Sequence, residues 1–202
     1  MRYNELTFQG RNAVLEAFRS GKTIDKLFIL DGCQDGPIKS IVREAKKTDA
    51  IINYVDKERL DRLAGTGHHQ GVVAIGAAYE YAEVEDILAA AKEKGEDPFI
   101  FILDEIEDPH NLGAIIRTAN LAGAHGVIIP KRRAVGLTAT VAKTSAGAIN
   151  YTPVAKVTNI SQTIEELKKQ GLWFVCADMG GETMYNLNLK GPIGLVIGNE
   201  GN

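Results

Sequence analysis

Residues 99–130 constrain the fold most strongly, because they hold an apolar run, a helical pattern and a second apolar run in immediate succession. The first run, 99–103, is rich in aromatic and β-branched residues, which predicts a strand buried on both faces. Between 112 and 122 the apolar residues recur with helical spacing, and Gly123 follows as an end signal. Residues 126–129 predict the next buried strand. The segment therefore predicts a βαβ unit of a parallel sheet.

The loop between the first strand and the helix is the predicted site, since open α/β sheets bind their ligands at the carboxyl edge of the strands. Arg117 lies off the apolar stripe of the helix, four residues beyond Gly113. Helical side chains lean towards the amino end, so we expect Arg117 to lie back across the bare Gly113 towards the loop. A cation in that place indicates an anionic substrate group. The alternative is a surface ion pair with Asp108 or Glu107.

The rest of the chain divides into three parts. Residues 1–78 alternate helices and strands and predict a compact α/β domain, and residues 79–97 predict a linker and a leading helix over 84–94. Residues 98–202 predict a second α/β domain with a largely parallel sheet. Two further buried strands are expected there, at 173–177 and 193–197, each followed by a polar loop.

Composition limits the kind of protein. At 202 residues with 45% hydrophobic and 24% charged content, the chain is typical of a soluble globular protein. No stretch approaches the roughly 20 apolar residues of a membrane span, and the start lacks the apolar region of a secretory signal. Cys33 and Cys176 have no metal-ligand spacing and predict reduced thiols in a cytoplasmic protein.

The charge is distributed unevenly along the chain. Residues 1–78 carry 12 Lys and Arg against 10 Asp and Glu, a balance of +2, and the remainder carries 11 against 16, a balance of −5. The net charge of −3 argues against a polyanionic partner. The asymmetry nevertheless places any polyanion-binding surface in the first half.

Several motifs match a known family. DPHNLG at 108–113 with RTA at 117–119, followed by IGNEG at 197–201, resembles the SpoU/TrmH class of RNA ribose 2'-O-methyltransferases, in the SPOUT superfamily. GRNAV at 10–14 and HQGV at 69–72 resemble that family's N-terminal RNA-binding domain. The resemblance covers essentially the whole chain and is closest to enzymes that methylate a guanosine in 23S ribosomal RNA.

The resemblance implies a fold, a cofactor and partners. The N-terminal domain is expected to be L30e-like, and the C-terminal domain to be a SPOUT-type sheet with a deep trefoil knot, an exception to unknotted topology. S-adenosylmethionine is the implied methyl donor, with no metal. The implied partners are RNA, most simply ribosomal RNA, and a second copy bound through the C-terminal domain, with no membrane.

The same resemblance implies which residues act. The implied catalytic residues are Arg117, Asn111 and Glu200. The implied cofactor-binding residues are Ala177, Asp178, Ile197, Gly198 and Asn199. The implied RNA-binding residues are Arg11, Asn12, His69, Gln70, Lys131, Arg132 and Arg133.

Chemistry refines some of these roles. A guanidinium is effectively never deprotonated, so we expect Arg117 to grip a phosphate and stabilise the developing alkoxide rather than act as the base. Asn111 is expected to orient the ribose or the Arg117 loop, and Glu200 to hold the loop or Arg117, although both residue types also stabilise turns. His69 is expected to stack on an unpaired base. Residues 131–133 are either phosphate contacts or a solvated loop.

The family normally continues beyond the IGNEG loop with a Ser-Leu-Asn run that opens a final helix through the knot. This sequence stops at Asn202. If the chain truly ended there, the last part of the knot and half of the cofactor pocket would be absent, and we would expect little cofactor binding. Three other functions stay open: a non-catalytic RNA-binding module, a methyltransferase acting on transfer RNA, and an α/β oxidoreductase without a fingerprint turn.

Overall fold

The computed structural model describes residues 6–48, 50–65 and 67–199. The strands are β1 (Leu6–Gln9), β2 (Ile24–Leu30), β3 (Ile51–Val55), β4 (Val72–Gly76), β5 (Phe99–Leu103), β6 (Gly126–Pro130), β7 (Val154–Val157), β8 (Trp173–Ala177) and β9 (Ile193–Ile197). The helices are α1 (Arg11–Arg19), α2 (Gly36–Lys47), α3 (Lys57–Ala64), α4 (Val84–Lys94), α5 (Pro109–Leu121), α6 (Ala139–Thr144) and α7 (Ile160–Lys169). The chain forms two compact units, one of residues 1–80 with 136–139 and the other of residues 81–135 with 140–202.

The N-terminal unit is built on a four-stranded mixed sheet in the order β1-β4-β2-β3. β4 is antiparallel to β1 and β2, and β2 is parallel to β3. Helices α1 and α2 cover one face of this sheet through a buried aliphatic core around Leu27 and Ile29. Helix α3 covers the other face, where Leu60 packs with Phe28 and Val73.

Side-chain caps fix where two of these helices begin. Oδ1 of Asp35 accepts a hydrogen bond from the backbone N of Ile38 at 3.1 Å, which caps α2. Oδ1 of Asp56 accepts a hydrogen bond from the backbone N of Arg59 at 2.8 Å, which caps α3. A cap satisfies backbone donors that have no partner within the helix, and each helix starts at its capping aspartate for this reason.

The C-terminal unit is built on a five-stranded, fully parallel sheet in the order β7-β6-β5-β9-β8. Its central strand β5 is buried from Ile100 to Leu103. Helix α4 packs on this sheet, since a Cβ added at Gly126 of β6 would lie 2.5 Å from Cδ1 of Ile87. The predicted leading helix is thus part of the C-terminal unit. The expected α/β fold with a parallel sheet is confirmed.

Candidate functional site

The carboxyl ends of three neighbouring strands form the floor of the candidate site in the C-terminal unit. Leu103 of β5 pairs in register with Ile197 of β9, and Ile197 pairs with Ala177 of β8. The backbone N of Asp104 extends this pairing by donating to the Ile197 carbonyl at 2.9 Å. The loops that follow the three strands therefore leave the sheet from one row, which is where parallel sheets hold ligands.

Helix α5 starts at the same edge. Oδ1 of Asp108 accepts from the backbone N of His110 at 2.7 Å, and Pro109 occupies the first turn, where its missing N–H costs nothing. Asn111 is exposed in that turn. The positive end of the helix dipole and an exposed amide thus face the edge where the sequence places the substrate.

Arg117 is exposed on the third turn of α5 and forms no ion pair with any residue that the structure describes. The surface pairs with Asp108 or Glu107 are therefore not formed in the structure. No described residue pairs with this guanidinium, which can therefore take an anionic group.

The space beside Gly113 is not open to Arg117, which corrects the expectation from the sequence. A Cβ at Gly113 would overlap with Oγ1 of Thr144 and lie 2.7 Å from its Cβ. Gly113 is buried for this reason, and its lack of a side chain admits α6 rather than the arginine.

Thr144 is a site residue that sequence reasoning missed. Its Oγ1 donates to the carbonyl oxygen of Thr140 at 2.9 Å and lies 3.3 Å from that of Pro109, so the end of α6 contacts the first turn of α5. The only sequence signal for this contact is the run of small residues around 145–148, which permits close packing.

The residues expected at the cofactor lie at the ends of β8 and β9. Ala177, Asp178, Gly198 and Asn199 are exposed and Ile197 is half-buried. No described residue would lie within 4 Å of a Cβ added at Gly198, so this part of the chain leaves its backbone open to approach. Glu200 lies outside the described residues. Small or polar side chains and accessible backbone suit a ligand that is held by main-chain groups.

The basic turn after β6 is partly tied to the loop after β5. Arg133 forms an ion pair with Glu105 at 2.6 Å, and both residues adopt left-handed backbone conformations. Arg132 is exposed, and the backbone N of Lys131 donates to the Val157 carbonyl at 2.7 Å. The pair links two loops at the carboxyl edge, so Arg133 has a structural partner as well as an expected RNA contact.

In the N-terminal unit, Arg11 and Gln70 lie together. The backbone N of Arg11 donates to Oε1 of Gln70 at 3.2 Å, and its Nε donates to the Gln70 carbonyl at 3.1 Å. The Arg11 guanidinium also pairs with Asp35, the capping residue of α2. Asn12 is exposed beside them. The predicted RNA-binding residues of GRNAV and HQGV are thus neighbours, although the Arg11 side chain already has partners.

His69 differs from the expected stacking residue. Its side chain is 7% exposed, its Nε2 lies 2.9 Å from Oδ1 of Asp61, and its Nδ1 accepts from the backbone N of Gly71 at 2.9 Å. A ring so buried offers no face to a base. Its role in this conformation is to hold the turn that carries Gln70.

The described part of the chain offers neither a metal site nor a membrane-spanning helix. Within it, no group of three or more His, Cys, Asp and Glu side chains could hold a metal ion. None of its helices combines the length and apolar character needed to cross a bilayer.

Comparison with protein families matches both halves of the chain. The profile of the SpoU rRNA Methylase family matches residues 98–202, and that of the RNA 2'-O ribose methyltransferase substrate binding domain matches residues 9–82. YacO of Bacillus subtilis, which is assigned to the TrmH family of tRNA/rRNA methyltransferases, is 52% identical over 193 residues, 95% of this chain and 77% of its own length. A Staphylococcus haemolyticus protein with the same family name is 46% identical over 198 residues, 98% of this chain and 79% of its own.

Solved structures share the fold. The SpoU methyltransferase AviRb of Streptomyces viridochromogenes, in complex with AdoMet, superposes with a TM-score of 0.54 at 20% identity, over 98% of this chain and 74% of its own. An rRNA methyltransferase from Sinorhizobium meliloti superposes with a TM-score of 0.52 at 24% identity, over 98% of this chain and 72% of its own. The resemblance found in the motifs is confirmed, and the chain belongs to the SpoU/TrmH family of RNA methyltransferases.

Proposed function

We propose that this protein transfers a methyl group from S-adenosylmethionine to a ribose 2'-hydroxyl of RNA, at a guanosine of 23S ribosomal RNA. The observation that carries the proposal is the row formed by Leu103, Ile197 and Ala177. It brings the loop before α5 and the loops after β8 and β9 to one edge. A substrate held by α5 and a cofactor held by the other two loops would therefore meet there.

The residues at the ends of β8 and β9 fit the cofactor. The described residues leave the backbone of Gly198 unobstructed, and Asp178 and Asn199 offer exposed polar side chains after the paired ends of β8 and β9. We assign the binding of S-adenosylmethionine to these residues with Ala177 and Ile197. When bound, the cofactor supplies a sulfonium methyl that is already electrophilic.

Arg117 would hold and activate the substrate. A helix rises 1.5 Å per residue, so its Cα lies about 12 Å along α5 from Pro109, and its side chain is exposed there. The guanidinium would bind a phosphate next to the target ribose through two parallel hydrogen bonds. Its positive charge would also stabilise the oxygen that loses its proton. Asn111 would orient the ribose from the first turn, and Glu200 would hold the adjoining loop.

The N-terminal domain, residues 1–78, would bind the RNA. The joined Arg11 and Gln70, with the exposed Asn12, support this assignment. In the C-terminal domain, residues 98–202, Lys131 and Arg132 would contact phosphates, as would Arg133 through the nitrogens that Glu105 leaves available. Such a protein would work in the cytoplasm.

The test is transfer of a labelled methyl group by the full-length protein. Transcripts of 23S ribosomal RNA and of transfer RNAs are incubated separately with labelled S-adenosylmethionine and then digested to nucleosides. We expect label in 2'-O-methylguanosine from the ribosomal transcript. Label confined to transfer RNA would overturn the assigned substrate. Label on a base, or none on either RNA although both bind, would overturn the assigned reaction.

The active form is proposed to be a homodimer joined through the C-terminal domain. Support comes from two exposed apolar side chains, Leu121 at 82% and Tyr151 at 81%. They adjoin Asn120 and Thr152, whose side chains are hydrogen-bonded at 3.0 Å, so both belong to one area of that domain. Light scattering on the eluting protein should give twice the chain mass, and Leu121→Lys should reduce it towards one chain. A wild-type monomer at working concentration would contradict the proposal.

A further inference from the structure

A groove in the N-terminal unit lies apart from the residues assigned so far. It has a volume of about 240 Å³ and lies between the end of β2, helix α2 and strand β3. Its lining consists of Cys33, Gln34, Ile38, Lys39, Val42 and Tyr54. The volume is below the roughly 300 Å³ at which pockets for drug-sized ligands begin, so the groove suits a single planar group.

The aromatic wall of this groove is exposed. Tyr54 lies on the edge strand β3 with 56% of its surface accessible. Side chains alternate along a strand, so Tyr54 shares a face with Ile52, which packs against the core under α1 and α2. Tyr54 therefore stands on the helix side of the sheet, next to α2 but not packed beneath it. An exposed ring beside an aliphatic floor is a stacking platform for a nucleobase.

The helix that borders the groove is basic. α2 contains Lys39, Arg43, Lys46 and Lys47 against the single acid Glu44, which pairs with Lys47 at 3.0 Å and with Nε of Arg43 at 3.9 Å. Lys39, Arg43 and Lys46 follow one another at four and three residues, so they lie along one side of the helix. Lysines in the last turn interact favourably with the negative end of the helix dipole. Lys39 lies near the positive end, where the dipole does not stabilise its charge. Its charge is therefore not explained by helix stability.

The groove is continuous with the predicted RNA-binding turn. Asp35, which caps α2, pairs with Arg11, and a Cβ added at Gly71 would lie 3.0 Å from Sγ of Cys33. The turn that carries Gln70 thus packs directly against the groove wall. An RNA strand bound at Arg11 and Gln70 would reach the groove without leaving this side of the domain.

We propose that the groove binds one unpaired nucleotide of the RNA substrate. Its base would stack on Tyr54 over the side chains of Ile38 and Val42, and Lys39 would contact its phosphate. Arg43 and Lys46 would contact the phosphates that follow. This inference rests on the proposed function for the identity of the polyanion, and it adds the position at which the N-terminal domain selects single-stranded RNA. A folded acidic protein could also meet the basic side of α2, but it would not need an open ring at the edge of the sheet.

The test compares binding of a ribosomal RNA fragment by the full-length protein and its variants, using fluorescence anisotropy at several salt concentrations. Tyr54→Leu should raise the Kd by roughly tenfold, and Tyr54→Phe should bind like the wild type because stacking requires only the ring. Lys39→Gln should weaken binding and reduce the slope of log K against log salt by about one. Lys57→Gln, an exposed change on α3 across the sheet, is the matched control and should have little effect.

Two further measurements separate this proposal from the proposed function. Methyl transfer at saturating RNA should keep its kcat in Tyr54→Leu while KM for RNA rises, and a photoactivatable RNA fragment should cross-link at Tyr54 whether or not methylation occurs. Wild-type Kd in both Tyr54→Leu and Lys39→Gln would overturn the groove and leave the methyltransferase standing. Cross-linking at Tyr54 without methyl transfer to any RNA would support the groove and overturn the methyltransferase.

Guanosine monophosphate should bind the groove far more weakly than the RNA fragment does. Equal affinity would overturn the proposal, because the ligand would then be a free nucleotide.

Discussion

Thr144 occupies the space that a side chain at Gly113 would need, and its hydroxyl lies 3.3 Å from the carbonyl oxygen of Pro109. The contact joins α6 to the first turn of α5, which carries Asn111 and leads to Arg117. The position of the proposed catalytic helix thus depends on a residue without a side chain. It also depends on a threonine that takes no part in the chemistry.

Gly113→Ala should therefore destabilise the protein, by about 1–3 kcal/mol, because overpacking forces neighbouring groups to move. Urea unfolding followed by circular dichroism measures the change. Gly36→Ala is the matched control, since an added Cβ there meets nothing within 4 Å and alanine favours a helix. The double variant Gly113→Ala with Thr144→Gly should lose less than the sum of the single changes. Equal stability of Gly113→Ala and wild type would contradict the packing described here.

His69 should be a structural residue. His69→Ala leaves the buried backbone N–H of Gly71 without its acceptor and should cost about 1–3 kcal/mol of unfolding free energy. The neighbouring His68 is exposed, so His68→Ala should change stability by less than about 0.5 kcal/mol. Thermal unfolding of the two variants side by side is the measurement. If His69→Ala were as stable as His68→Ala but bound RNA more weakly, the ring would be a contact residue after all.

The two capping aspartates allow the Arg11 ion pair to be measured. Asp56→Ala removes a cap alone and should cost about 1 kcal/mol. Asp35→Ala removes a cap and the partner of Arg11, and should cost about 0.5 kcal/mol more, because the pair is only partly buried. Denaturant midpoints at low and high salt report how much more stability Asp35→Ala loses than Asp56→Ala. This extra loss should shrink at high salt. A larger loss in Asp56→Ala would show that the ion pair does not stabilise the N-terminal unit.

Long apolar runs made much of the C-terminal fold predictable. Strands 99–103, 173–177 and 193–197 and helix 84–94 form with the predicted bounds, because continuous burial leaves a strong pattern. Strand β1 was not predicted. It is a four-residue edge strand with its first two residues exposed, so it has no apolar run, and it forms only because β4 pairs with it.

The strand ends that form the candidate site were predictable, but the contacts around them were not. The motifs predict that Asn111, Arg117 and Gly198 meet at one sheet edge, since strand order determines where loops meet, and their roles stay predictions. They did not indicate that Thr144 fills the space at Gly113, nor that His69 is buried by Asp61. The first contact joins residues that are distant in the chain, and the second joins α3 to the turn that follows it. Residue spacing carries no information about either contact.

The proposed role of Arg117 is the central claim, and Arg117→Lys in the full-length protein tests it most directly. Lysine keeps the charge but lacks the planar fork, so methyl transfer to ribosomal RNA at saturating S-adenosylmethionine should fall by about 10²–10³-fold. Calorimetry should give wild-type affinity for the cofactor, and Arg62→Lys on α3, also exposed, should keep full activity. Near-wild-type methyl transfer by Arg117→Lys would contradict the account, because a positive charge without the planar fork would then be enough.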